Sequence, residues 1–123
     1  MASKIELREN LNIEISEYVT AEELFQNTVL RPIIKLQNDI LLTHFFHYLK
    51  NTKINWESFS SEKRNTFIEN SFQKDNILKN TYIGMVIGMM NVEELQIYYT
   101  ENKMFNKRII NMITERLKSQ IVE

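Results

Sequence analysis

The stretch PIIKLQNDILLTHFFHYLK, residues 32–50, decides the fold. Ile33, Ile34, Leu36, Ile40, Leu41, Leu42, Phe45, Phe46, Tyr48 and Leu49 cover most of a helical wheel. Only a narrow polar strip through Lys35, Asp39, Thr43 and Lys50 interrupts them. A helix apolar on nearly every side is expected in the middle of other helices. The sequence therefore predicts an all-α, compact bundle of five to six helices around a central apolar helix at about 32–50.

The flanking segments carry helix start signals. Thr20-Ala21-Glu22-Glu23 fits a capping box, in which the threonine oxygen accepts an amide and Glu23 reaches back. That helix is expected to end near Leu30, because Pro32 restricts Arg31 and sits well in the first turn of a new helix. Trp56 and Phe59 are expected to lid the core from a short connection. Ser60 caps a third helix at 61–74, with Phe67, Ile68 and Phe72 inward, and Asp75 caps a fourth at 76–89. Asn91 with Glu94 opens a short fifth, and Asn102 starts a last helix with Phe105, Ile109, Met112, Ile113 and Leu117 at helical spacing. Two glycines and one proline in 123 residues suit helices joined by short polar links, not a turn-rich sheet. Residues 1–19 read differently. Leu11, Ile13 and Ile15 alternate with Asn12 and Glu14, the pattern of an extended arm beside a single helical domain at 20–123.

Composition narrows function. Without cysteine there is no disulfide, thiolate metal site or thiol nucleophile. The first ten residues do not resemble a signal peptide, and the longest apolar run, near 82–90, falls short of the ~20 residues of a bilayer span. A cytoplasmic protein with no membrane partner is expected. The formal net charge of −1 makes nucleic acid an unlikely partner. The charge is uneven: residues 1–30 hold six Glu against Lys4 and Arg8, a balance of −4, which leaves +3 on the rest. An acidic arm can fold back on a basic body or on a second copy of it.

No nucleophile elbow, phosphate-cradling glycine loop or dinucleotide fingerprint is present, so no catalytic residue and no cofactor is assigned. His44 and His47, three apart, are weak metal candidates without an acidic third ligand in register; a core histidine is the expected reading of His44. Gly84-x-x-x-Gly88 is expected to mark close packing of two helices, within the chain or between copies. Arg116 falls in the apolar arc of the last helix together with Asn106. An arginine there is expected to pair with a carboxylate as a structural ion pair, or else to build an anion site with Arg31 or Arg108.

Glu22–Asp39, Phe67–Asp75 and Asn106–Gln120, about a third of the chain, resemble a group of small uncharacterised all-helical bacterial proteins often labelled "glyoxalase". The label implies a βαβββ fold with a His/Gln/Glu metal set, or a histidine-rich dinuclear motif; neither is legible in these residues. The resemblance adds a set of polar positions: Gln26, Asn27, Arg31, Lys35, Gln37, Asn38, Asn106, Arg108 and Arg116.

Two functional expectations follow, and a third, nucleic-acid binding, needs the fold to bring Arg31, Lys35, Lys107 and Arg108 into one basic stripe. The first is a non-catalytic protein–protein interaction or regulatory module, a homodimer with Leu11, Ile13, Ile15, Tyr98, Tyr99 and Met104 at its interface. The alternative is a small-molecule or anion-binding protein, or an unrecognised enzyme, with Arg31, Lys35, Asn38, His44, Arg108 and Arg116 around a pocket near the central helix.

Overall fold

A computed structural model describes residues 20–121 of the chain. The expected N-terminal arm, with Leu11, Ile13 and Ile15, lies outside the described residues. The described chain is all-α: α1 (Ala21–Phe25) runs through a π-helical turn (Gln26–Leu30) into α2 (Arg31–Leu36), followed by α3 (Asn38–Asn51). A 3-10 turn (Trp56–Ser58) leads to α4 (Ser61–Lys74), α5 (Asn76–Ile87), α6 (Val92–Thr100) and α7 (Asn102–Ile121). No strand occurs among the described residues.

The caps sit where the sequence places them. Ser60 accepts from the Lys63 amide at 3.2 Å and Asp75 from the Leu78 amide at 3.0 Å. Asn91 and Glu94 close a full reciprocal box at 2.7 and 3.0 Å. Thr20 forms only the first half of its own, accepting from Glu23 N at 3.1 Å. Each such cap supplies a partner for an orphan amide and stabilises by about 1 kcal/mol.

Pro32 does not break the chain as expected. Phe25, Leu30 and Arg31 all keep right-handed helical angles, and the Arg31 amide bonds to the Gln26 carbonyl, five residues back. The wider π turn carries the helix past a residue that has no N–H to give. The break falls at Gln37 instead (φ −87°, ψ 7°), whose amide Nε2 reaches the Met85 carbonyl at 3.4 Å. The 32–50 segment is thus two helices.

Nor is that segment wrapped on all sides. Leu41, Phe45 and Leu49 are buried, but Ile40 and Phe46 are 53% and 49% exposed and Leu36 is 39% exposed. α7 packs one side on α4, α5 and α6, burying Phe105, Ile109, Ile113 and Leu117 there. Tyr82, fully buried, ties α5 to α3 by donating its hydroxyl to the Leu41 carbonyl at 2.8 Å. At the far end Trp56 and Phe59 cover Phe67, with the Arg64 guanidinium on the Trp56 carbonyl at 3.2 and 3.0 Å and over its ring.

The two glycines do not pack closely against another described helix of the chain. Both are exposed; a methyl group on Gly84 would meet nothing within 4 Å, and one on Gly88 only the Gly84 carbonyl oxygen at 3.0 Å.

Candidate functional site

The π turn has a consequence for side-chain direction. Along an α-helix a residue five positions on points about 140° away. With an i→i+5 bond it stacks nearly above its partner instead. Gln26 and Arg31 therefore share one face, and that face looks at α7.

There they meet Arg108, Asn111, Met112, Glu115, Arg116 and Ser119, which repeat at helical spacing along one side of α7. Together with Ile34 these side chains line an open groove of about 670 Å³. Three guanidinium groups, from Arg31, Arg108 and Arg116, face one space. Each is held by a neutral amide oxygen: Arg31 by Asn27 Oδ1 at 3.4 Å, Arg108 by Gln26 Oε1 at 2.7 Å, Arg116 by Asn38 Oδ1 at 3.0 Å. Arg108 Nε also touches Met104 Sδ at 3.3 Å. An amide oxygen fixes direction without cancelling charge.

The groove has one carboxylate, Glu115, and it is engaged outside. Glu115 pairs with Lys118 Nζ at 3.3 Å, and Lys118 also bonds Glu69 of α4. The Glu69 bond, with Glu115 adding to it, holds the Lys118 ammonium above its ordinary pKa. No carboxylate among the described residues lies within ion-pair distance of the three arginines. This corrects the structural ion pair expected of Arg116. Its side chain is half-buried at the groove wall, not sunk in the core, and its partner is an amide.

The remaining candidates scatter. Asn38 stands behind Arg116, exchanging hydrogen bonds with Gln120 at 2.7 and 3.2 Å, and so positions it. Lys35 is exposed on α2 and does not line the groove. His44 faces another way. It sets its ring edge-on to Tyr82, 5.3 Å between centroids, and lines a shallow recess of about 490 Å³ with His47, Asp39, Ile40, Thr43 and Met85. Burial, and then the charge of His47, pushes its pKa below 6.5. Among the described residues no three His, Asp or Glu side chains converge as a metal site. Of the interface candidates, Tyr98 is buried against Phe105 and donates its hydroxyl to Asn106, Met104 is half-buried, and Tyr99 is 60% exposed.

Gln26, Asn111, Glu115 and Ser119 were not singled out as site residues by helical periodicity. A signal existed for those on α7: Arg108, Asn111, Glu115 and Ser119 recur at steps of three and four, a polar line beside the apolar stripe of Phe105, Ile109, Ile113 and Leu117.

Comparison with protein families, with curated proteins and with solved structures finds no match for the chain. No described helix is long and apolar enough to cross a membrane.

Proposed function

We propose that this chain is a non-enzymatic binding module that holds a phosphate- or carboxylate-bearing ligand in the α2–α7 groove. One observation carries the reading: three arginines share a groove whose lone carboxylate is engaged by Lys118, and each is held by an amide oxygen that leaves its charge intact. Guanidinium forks match phosphate and carboxylate oxygens in pairs, and such charge-assisted bonds are about twice as strong as neutral ones. Ile34 and Met112 give the groove an apolar floor, so the ligand presents carbon between or beside its anionic groups.

A thermal-shift series at constant ionic strength tests this. Phosphate, sulfate, and mono-, di- and tricarboxylates are compared with chloride. A ligand at about ten times its Kd contributes about 1.4 kcal/mol and raises Tm by roughly 4–7 °C for a domain of this size. A panel indistinguishable from chloride overturns the proposal.

Self-association is a second reading, supported by the partly exposed Leu36, Ile40 and Phe46 on α2 and α3. Light scattering on a sizing column, with the full chain and with residues 1–19 removed, separates the two. A dimer lost with Phe46→Ser supports a homodimer; a monomer at every concentration removes it.

A further inference from the structure

A second groove runs along the opposite side of α7, where α7 meets α4 and α5. It has a volume of about 520 Å³ and is lined by Lys79 of α5, by Lys103 and Lys107 of α7, and by five amide side chains. No carboxylate lines it, and among the described residues no acid pairs with Lys103 or Lys107. Lys79 reaches only the Gln73 carbonyl, at 3.4 Å. Asn111 lines both this groove and the arginine groove, so the two adjoin at that residue of α7. From Lys103 to Arg116 the run extends about 20 Å along the helix. A formal net charge of −1 conceals six cations gathered here around one carboxylate, itself bound to Lys118.

We infer that the two grooves form one site for a single-stranded nucleic acid, its phosphates running along α7 from Lys103 to Arg116. The inference rests on the arginine groove accepting phosphate oxygens, and it names the ligand class for that groove. The run is too long for one small anion. Its cations alternate with amides, which bond phosphate and base edges alike. Ile83 and Ile110 in the lysine groove, like Met112 in the other, are half-buried and give base faces apolar surface. Both grooves lie in helix–helix junctions, which admit a strand and exclude the wide, rigid duplex. A peptide of acidic residues alone offers the same charge but no planar rings for the apolar walls.

Fluorescence anisotropy of labelled twelve-nucleotide oligo-dT and oligo-rU with the full chain tests it, between 50 and 300 mM NaCl. Six neutralised phosphates give a log–log salt slope of about −4, since single strands lose about 0.7 per phosphate. The pair Lys103→Gln/Lys107→Gln, both exposed, should weaken oligonucleotide binding at least tenfold and flatten the slope by about 1.4. Inorganic phosphate binding, read by thermal shift, should survive in that variant and vanish in Arg108→Gln/Arg116→Gln. Phosphate binding without oligonucleotide binding at 50 mM salt overturns this inference and leaves the arginine groove standing. Neither ligand binding overturns both. Oligonucleotide binding indifferent to the lysine pair, or matched by a poly-Glu peptide of equal charge, also overturns it.

Discussion

Replacing Arg116 with Gln separates the charge of the groove from its architecture. Arg116 Nη1 donates to Asn38 Oδ1 at 3.0 Å, and Asn38 is held independently by two bonds to Gln120. A glutamine amide keeps a donor for Asn38 and much of the aliphatic stem, but removes the guanidinium from the groove. Arg116 is only half-buried, so the folded state loses little: about 0.5 kcal/mol or less, the ordinary range for a surface position. Binding loses much more. A hydrogen bond to a charged group contributes about 1.5–3 kcal/mol, which is roughly a 10- to 150-fold weaker Kd. Isothermal titration of wild type and variant with the best ligand of the thermal panel measures the second number. Urea unfolding measures the first. Unchanged affinity in a folded Arg116→Gln variant refutes the role given to Arg116. A destabilisation above about 2 kcal/mol would show instead that Arg116 is a structural strut.

Three further outcomes follow from the same geometry. Gly84→Ala should raise stability by about 0.5–1 kcal/mol by urea unfolding, because the added methyl meets nothing and helix-interior glycine is costly; a loss would mean that something covers that face in solution. Tyr82→Phe keeps the buried ring against Phe72 and His44 but loses the bond to the Leu41 carbonyl, at a cost of about 1 kcal/mol; calorimetry should show Tm roughly 3–5 °C lower. His44 has its folded pKa below 6.5, so the unfolded chain binds more protons between the two values and stability rises with pH there. Its contribution is complete above pH 6.5 and shrinks as pH falls through that window, so urea midpoints should drop from pH 7.5 to 5. His44→Gln should flatten the drop, and an equal slope in the variant would assign it to other groups.

The helix starts were legible because capping is local: a Ser, Asp or Asn oxygen and an amide three residues on are enough. The path through Arg31 and Pro32 was not. Proline reads as a boundary, yet an i→i+5 turn absorbs the missing N–H, and the real break at Gln37 carries no glycine or proline to announce it. The apolar census of 32–50 promised a wrapped helix because it counts side chains without knowing which neighbours arrive. Ile40 and Phe46 satisfy the same periodicity as Leu41 and Phe45 and still face outward. Arg31, Arg108 and Arg116 were visible as candidates, but not their meeting. The bonds that aim the latter two join Gln26 to Arg108 and Asn38 to Arg116, 82 and 78 positions apart, and no local pattern encodes such pairs. His44 was placed with them on type alone, and the structure turns it toward Tyr82.

The central claim is that three guanidinium groups engage one ligand. Nitrogen-15 NMR of the arginine Nε–H signals during a phosphate titration tests it most directly, because Arg64, tied to the Trp56 carbonyl away from the groove, serves as an internal control. The expected result is that the Arg31, Arg108 and Arg116 signals move together and fit one Kd while Arg64 stays still. Movement no larger than that of Arg64, or three unrelated curves that never saturate, would contradict it.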